Sequence, residues 1–314
     1  MNNNAWADVN WRDLASVREA LESGVDPDAL VSGTLLRPLD LAMELGTPEV
    51  VAEVARRVRD VDAEHDGRTA LWTAVFYNRP DNARALVEAG ADPWRPTMAG
   101  WSPGRLSLAG PHPDLFSPSR AELSAAETAA VAEAPRLIEA LGRLYDTGYS
   151  LACVAGITAV EAARRLGART VEAPPEYEEY GELGPEDYDD SVVGVTDVPG
   201  GCVVVQPWSY AASMPGVTKA LSTGTVCYAM FANPKGGNHG DLARDGVIEG
   251  WDLSPGGWVH AGNTTEEVLL GYLYGYRAGA AYCCAYVGLR PTDPHSIMGP
   301  VDMWLELPDR DYRT

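Results

Sequence analysis

The first 110 residues carry apolar positions at helical spacing. Two stretches place them three or four residues apart, at Val17, Ala20 and Leu21 and at Ala83, Leu86 and Val87. Such a spacing puts the apolar side chains on one face of a helix, so it predicts two helices that face a core. Between them, residues 37–42 align with residues 69–74 at an offset of 32, and each fragment is predicted to open a further helix.

The same region contains an internal period. Residues 23–27 (SGVDP) and 89–93 (AGADP) lie 66 positions apart, which is twice 33, and Trp6 and Trp72 share this offset. The first repeat is therefore predicted to begin near Asn4. A degenerate fourth start lies at residues 100–103, 33 positions after 67–70. A helix pair buries only one face by itself, so a repeated pair gains its core by stacking on its neighbours.

A short motif accompanies the period. Gly67, Thr69, Leu71 and Ala74 form a G-x-T-x-L-x-x-A pattern at the start of the third repeat, and residues 90–92 read Gly-Ala-Asp at its end. Together these features resemble the ankyrin family. The resemblance implies that residues 1–115 form an all-α ankyrin-type array of about three repeats followed by a degenerate cap. It also implies a domain that holds another protein.

The ankyrin resemblance further implies where a partner lies, along the turn tips and the outer face of each first helix. The corresponding residues are Arg68, Thr73, Phe76 and Tyr77 in the third repeat and Leu36, Leu41, Glu44 and Leu45 in the second. Apolar side chains exposed in one patch indicate contact with another surface. Two occupants remain open at this point, an external protein and the chain's own C-terminal half.

The pattern changes after the repeats. Residues 103–118 are rich in Pro, Gly, Ser and His, which favours a connector. A helix is predicted over 119–145, capped by Ser119 with Glu122 and interrupted or kinked at Pro135. The later elements are strands at 151–154, 192–195, 202–206 and 225–232, hairpin turns at 198–201 and 245–246, and helices at 158–166 and 264–282. We therefore predict a helical linker over 116–147 and an α+β domain with a mainly antiparallel sheet over 148–314.

Three short elements of this C-terminal half carry a second resemblance. They are VGVTDVPGG at 193–201, QPW at 206–208 and GWDL at 250–253. They are similar to an uncharacterised domain family common in actinobacteria. The similarity implies a bacterial source and no activity.

The net charge of the chain limits the kinds of partner that it can bind. The formal net charge is −21, and nine carboxylates and no basic residue lie between Glu172 and Asp190, a run that predicts a solvated loop. Because nucleic-acid binding depends on Lys and Arg that neutralise phosphates, we expect neither nucleic acid nor an anionic membrane as a partner. An acidic surface instead favours a basic protein.

Segments that direct a chain to another compartment are not evident. No stretch reads as a secretory signal, and no apolar run approaches the roughly 20 residues that cross a bilayer. The five cysteines are odd in number and contain no C-x-x-C pair, so buried free thiols are favoured over disulfides. These features predict a cytoplasmic protein.

Candidate chemistry centres on the glycine-rich stretch 233–241. Lys235 precedes the glycines, whereas a phosphate-binding loop needs its lysine after them and before a helix, so a connecting turn is favoured over a phosphate site. His239 with Asp241 and Asp245 has the donor types of a metal site, but the other histidines lack ligand spacing and no metal or cofactor is expected. A pocket that gathers Asp197, Lys235, His239 and Asp252 would instead indicate a ligand site or an active site.

Other features leave packing and contact as alternatives. Gly271, Gly275 and Gly279 repeat every four residues, which favours tight packing of the last predicted helix on its own sheet over a contact between subunits or with a partner. The aromatic residues Trp208, Tyr210, Trp251 and Trp258 fall in loops or hairpin edges but are favoured as core. Cys153, Cys202 and Cys227 lie in apolar strand patterns, which favours buried structural thiols over nucleophiles.

The sequence thus favours a non-catalytic interaction protein. It would act as an adaptor or an immunity-type inhibitor, and it would present the repeats and the acidic C-terminal domain to another protein. The alternative is an enzyme or small-ligand sensor with its pocket in the C-terminal domain. The discriminating feature is whether the four candidate ligand residues converge.

Overall fold

A computed structural model describes residue 6 and residues 8–142, 148–174 and 191–313. The chain divides into two compact units. The first comprises residues 1–129 together with 259–269, and the second comprises residues 130–258 and 270–314. Most of the acidic run 172–190 lies outside the described residues.

The first unit is helical. Its helices are α1 (Leu14–Glu22), α2 (Pro38–Leu45), α3 (Pro48–Ala55), α4 (Ala70–Phe76), α5 (Pro80–Glu88) and α6 (Pro103–Ser107), and α7 (Ala125–Leu141) begins in it. Helices α2 and α3 pack as one pair and α4 and α5 as the next, while α3 contacts α5 and α2 contacts α4. The two fragments predicted to open helices do so at α2 and α4.

Local capping explains where these helices begin. The Thr69 hydroxyl accepts a hydrogen bond from the Trp72 amide at 3.1 Å, and the Asp40 carboxylate accepts one from the Arg37 amide at 3.0 Å. Proline stands in the first turn of α2, α3, α5 and α6, where its missing N–H costs no intrahelical bond. Val17, Ala20, Leu21, Ala83 and Leu86 are buried, as the spacing predicts, whereas Val87 is only half-buried.

Hydrogen bonds join successive loops at intervals close to the sequence period. The Asp28 carboxylate accepts from the Arg59 amide at 3.3 Å, and the Asp62 carboxylate accepts from the Asp92 amide at 3.1 Å. Asn82 is buried and donates from Nδ2 to the Met43 carbonyl at 3.1 Å, which ties α5 to the end of α2. Each repeat is therefore fixed to its neighbour by polar contacts as well as by packing.

The second unit contains an eight-stranded antiparallel sheet. Its strands are β1 (Ser150–Ala155), β2 (Arg169–Val171), β3 (Val192–Val198), β4 (Gly201–Gln206), β5 (Val226–Asn233), β6 (Gly237–Arg244), β7 (Val247–Leu253) and β8 (Met303–Glu306). They lie in the order β2-β8-β3-β4-β1-β5-β6-β7. The predicted strands and both predicted hairpins are confirmed, including the turn at Asp245-Gly246.

Alternating side chains of this sheet build a core on each face, because successive strand residues point to opposite sides. Leu151 and Cys153 pack with α7 and with α11 (Gly279–Val287). Ala152 and Val154 pack on the other face with α8 (Ala159–Leu166) and α9 (Pro215–Leu221). The remaining helices are α10 (Thr265–Tyr274) and α12 (His295–Met298).

Two helix predictions were wrong in their limits. The helix predicted from residue 119 begins at Ala125, and its capping pair is Ser124 with Glu127 instead of Ser119 with Glu122. Pro135 lies inside α7 without ending it. The helix predicted over 264–282 does begin at the Thr264–Glu267 pair, but it breaks at Gly275, whose φ of 60° and ψ of 173° are not helical.

Candidate functional site

Three aromatic rings form a continuous stack along α4. Trp72 is fully buried, and Phe76 stacks on it with ring centroids 4.9 Å apart. The two residues are four positions apart, which places them on the same helical face. Phe76 in turn contacts the edge of Tyr77 at 5.5 Å. Tyr77 closes the stack and is 38% exposed, so a ring anchored on the core reaches the surface.

The equivalent position of the second repeat is also apolar and exposed. The offset of 32 that aligns α2 with α4 places Leu45 at the position of Tyr77, and Leu45 is 44% exposed. Burial raises the pKa of Tyr77, while the Arg68 charge lowers it and the Glu44 charge raises it. Both charged side chains therefore lie near the Tyr77 hydroxyl. We call Glu44, Leu45, Arg68, Phe76 and Tyr77 the repeat surface.

Two of the predicted partner residues, Leu41 and Thr73, are not part of the repeat surface. Leu41 is buried among the core residues of α2, so it is not part of the repeat surface. Thr73 is half-buried, and its hydroxyl donates to the Thr69 carbonyl at 3.1 Å. Arg68 is held by Asp66 at 3.2 Å. Leu35, which sequence reasoning missed, is 76% exposed. No pattern in the sequence distinguished Leu35 from the neighbouring Leu36, which is half-buried.

The four candidate ligand residues of the C-terminal half do not all converge, although two of them, His239 and Asp252, are in contact. His239 Nδ1 lies 2.5 Å from Asp252 Oδ1. Lys235 is exposed in the turn between β5 and β6. Asp197 lies on β3, four strands from β6, which is about 19 Å at the usual strand spacing. It accepts a hydrogen bond from the Ala159 amide at 2.6 Å, so its role is to hold the start of α8.

Asp241 joins the His239–Asp252 contact. Burial raises the pKa of Asp241 to about 6; the backbone N–H of Asp252 and the charge of His239 lower it, and the charge of Asp252 raises it. Asp252 adopts a φ of +54°, which is uncommon for a residue other than glycine, and β6 and β7 shift register beside it. A strained residue next to a buried carboxyl group is a feature that functional sites share, although structural networks show it too.

The glycines of the 233–241 stretch have structural roles. A Cβ atom at Gly236 would lie 2.7 Å from His239 Nε2, so a larger residue there would displace the histidine ring. Gly237 has a φ of +83° and faces the Tyr276 hydroxyl, which accepts a hydrogen bond from the Asn238 amide at 3.1 Å. The stretch is the turn that closes the β5–β6 hairpin.

A cavity of about 640 Å³ lies elsewhere in the second unit, around the chain that follows β8. Its lining residues are Ser191, Ala211, Met214 and residues 306–313. None of the four candidate ligand residues lines this cavity. Tyr312 does, but its hydroxyl is buried and, among the described residues, finds no hydrogen-bond partner.

The thiols and the metal donors show no reactive arrangement. All five cysteines are buried, and burial raises the pKa of Cys202 to about 12 and that of Cys227 further. A thiol that stays protonated is a poor nucleophile. Within the described parts of the chain, no three His, Cys, Asp or Glu side chains are grouped so that they could hold a metal ion.

Two further expectations need correction. Gly271, Gly275 and Gly279 do not share one helix, because the chain breaks at Gly275. The favoured tight packing on the sheet holds for Gly279, since a Cβ atom there would lie 2.8 Å from Met230 Sδ on β5. Trp251 and Trp258 are 61% and 66% exposed instead of buried, and Tyr210 is exposed as well. Trp208 is half-buried and stacks on Trp304 with centroids 5.9 Å apart.

Neither a comparison with protein-family models nor one with curated proteins finds a match for this chain. Over the residues that the structure describes, no helix combines the length and the apolar character that a membrane crossing requires.

Proposed function

We propose that the N-terminal region is an ankyrin-type array and that the protein binds another protein through the repeat surface. The observation that carries the proposal is Tyr77, which contacts Phe76, a ring stacked on the buried Trp72, and is still 38% exposed. An aromatic side chain whose position is already fixed loses little conformational entropy on binding. Tyrosine is also among the residues that dominate binding energy at protein interfaces.

The repetition of exposed apolar side chains supports this proposal. Leu45 and Tyr77 occupy equivalent positions of consecutive repeats, and both are exposed. Two equivalent positions that both avoid the core are better explained by a shared contact than by chance. The hydrogen bonds that the Arg59 and Asp92 amides donate to the Asp28 and Asp62 carboxylates fix the spacing between the repeats. A partner therefore meets a preformed surface.

The charge of the chain defines the partner further. A net charge of −21 attracts a basic protein and repels an acidic one, which raises the association rate of the former. Because Tyr77 and Leu45 are exposed and largely apolar, we expect apolar side chains at the centre of the partner's contact surface. We therefore propose an adaptor or immunity-type inhibitor whose partner is a basic protein with an apolar contact patch.

The alternative function, a sensor or enzyme, has weaker support. The His239–Asp252 contact with the neighbouring Asp241 is its best evidence. However, a site that binds a small molecule is normally a cavity, and the 640 Å³ cavity of the second unit is lined by other residues. We therefore favour protein binding.

The test uses a photoreactive phenylalanine analogue at position 45 or 77 of the full-length chain, irradiated in an extract of the source cells. The control carries the analogue at Val160, which is 67% exposed on α8. We expect one discrete, high-yield adduct from positions 45 and 77 and none of that mass from position 160. In the chain with the analogue at 45, Tyr77→Ser should reduce the yield at least tenfold, and Val160→Ser should leave it unchanged.

Two outcomes would count against a protein-binding repeat surface. The first is a set of adducts that is the same at all three positions, because it would reflect random collisions. The second is the absence of an adduct at positions 45 and 77. An acidic adduct partner would contradict only the charge argument.

A further inference from the structure

The first unit contains a segment from far along the chain, residues 259–269, which we call the strap. The Trp101 indole Nε1 donates a hydrogen bond to the Thr265 carbonyl at 2.9 Å. The Thr265 hydroxyl donates to the Ala99 carbonyl at 2.8 Å. These bonds link residues more than 160 positions apart, so the strap is held against the repeats by long-range contacts.

The strap also covers the tip of the third repeat. His65 and Arg68 exchange two backbone hydrogen bonds of 2.8 and 3.0 Å, which closes a tight turn with Gly67 at its apex. A Cβ atom at Gly67 would lie 3.4 Å from the Cβ atom of Ala261 in the strap. Arg68 belongs to the repeat surface and Gly67 lies under the strap. One turn therefore contributes both to the repeat surface and to the contact with the strap.

Burial is uneven along the strap. Val259, Val268 and Leu269 are buried at its two ends. Residues 260–266 between them are exposed except for the half-buried Asn263. Much of the polar bonding in this middle portion is internal, as in the bond from the His260 amide to Asn263 Oδ1 at 2.8 Å. A stretch with few buried apolar contacts opens at low free-energy cost, so the middle can leave the repeats while the ends stay.

A partner on the repeat surface would overlap the strap. A stable protein interface covers about 800 Å² on each side, with about 20–30 residues from each partner. The repeat surface supplies five residues, so a partner centred on Tyr77 must extend beyond them. Gly67 adjoins Arg68 directly in the chain and is covered by Ala261.

We propose that the strap is an autoinhibitory segment that competes with the partner for the tip of the third repeat. This inference rests on the proposed function, because it names the regulation of the same surface. A partner must then bind the fraction of molecules in which the strap is open, and its apparent affinity falls by that fraction. Weakening the strap should raise the apparent affinity.

The test weakens the strap in two ways. Thr265→Val removes the hydroxyl that bonds the Ala99 carbonyl, and it keeps a side chain of similar size and helix propensity. Ala261→Leu adds bulk where Ala261 already contacts Gly67. The matched control is Thr223→Val in the second unit, whose exposed hydroxyl bonds only a local carbonyl, that of Ala220 at 3.2 Å.

Two readouts separate the steps. Hydrogen–deuterium exchange of residues 260–266 reports release of the strap without any partner. The photo-adduct yield from position 45, titrated against the amount of extract, reports binding. We expect both strap variants to exchange faster and to reach half-maximal yield with about two- to tenfold less extract, the range for one lost hydrogen bond. Thr223→Val should match the parent.

Three other outcomes of this experiment would contradict the inference. Faster exchange with an unchanged titration overturns the autoinhibitory role and leaves the proposed function intact. Unchanged exchange in both variants shows that these contacts do not hold the strap, which also overturns the inference. If no chain forms an adduct at position 45, the proposed function fails and the inference fails with it.

Discussion

At the level of single side chains, burial separates residues that hold the fold from residues that remain available for contact. Leu41 and Leu45 lie four positions apart on α2, so helical spacing alone assigns them to one stripe. Leu41 is 8% exposed and Leu45 is 44% exposed, although both lie on α2. Periodicity predicts the stripe but cannot predict where the stripe leaves the core.

Asp241 allows a prediction about stability and pH. Its pKa is about 6 in the folded protein against an ordinary value of 3.8, so the folded state binds its proton more tightly than the unfolded state does. The associated stability is present below pH 3.8 and is lost as the pH rises through 6. Asp241→Asn keeps an oxygen that accepts the Asp252 N–H and removes the buried charge. We expect the free energy of unfolding to rise by about 1–3 kcal/mol at pH 7.

Urea unfolding of the parent and the variant at pH 7 and pH 4 tests this expectation. The difference should shrink at pH 4, where the parent carboxyl group is mostly protonated. Asp81→Asn, at an exposed position of α5, is the control and should show no comparable gain. A less stable Asp241→Asn variant at pH 7 would mean that the charge of Asp241 is required by His239 or by a neighbouring group.

At the level of helices and strands, local sequence patterns predicted most elements, but they could not decide which of two identical capping patterns begins α7. Ser119 with Glu122 and Ser124 with Glu127 both form an S-x-x-E pattern, and the second pair caps α7. Glu127 also accepts a hydrogen bond from Arg105 Nη2 at 2.6 Å. That contact spans 22 residues and selects the second pair, so no local pattern could have shown it.

The break at Gly275 also escaped prediction, because apolar residues continue on both sides of it. Its φ of 60° and ψ of 173° lie in a region that only glycine occupies readily. Gly275→Ala should therefore lower the free energy of unfolding by about 1–3 kcal/mol through the backbone alone, since nothing lies within 4 Å of the added Cβ.

Gly167→Ala is the matched control for that prediction. Gly167 also has open space around the added Cβ, but its φ of 65° and ψ of 24° lie in the left-handed helical region, which costs other residues only about 1–2 kcal/mol. Thermal unfolding of both variants compares the two costs directly. Equal losses would indicate that Gly275 relaxes into the left-handed helical region when it is replaced.

At the level of the whole molecule, the sequence predicted a helical N-terminal half and an antiparallel sheet in the C-terminal half, and both are present. The repeat surface followed from the period and from the ankyrin resemblance. The strap did not, because Trp101 and Thr265 are 164 residues apart and neither carries a repeat or motif that points to the other. Pairings of this kind depend on tertiary folding, which periodicity does not describe.

Net charge leads to a prediction for the entire chain. A charge of −21 destabilises a compact state through self-repulsion, whereas ion pairs stabilise it, and salt weakens both effects. Many of the pairs are exposed, as in Arg59 with Asp26, where the arginine side chain is 77% exposed. Such pairs contribute about 0–1 kcal/mol each, and the 45 acidic residues outnumber the 24 basic ones, so we expect repulsion to be the larger effect.

Sodium chloride should therefore stabilise the protein. Raising it from about 0.01 M to about 0.5 M shortens the screening length from about 30 Å to below 8 Å. If this removes about 1 kcal/mol of repulsion, the midpoint of thermal unfolding rises by about 2–4 °C, which is the shift expected for a domain of about 150–250 residues. Circular dichroism melting curves measure that shift, and chloride is preferred to sulfate because sulfate also strengthens apolar burial. A midpoint that falls with chloride would show that the ion pairs contribute more than the excess carboxylates cost, and it would weaken the argument that unpaired negative charge is free to attract a basic partner.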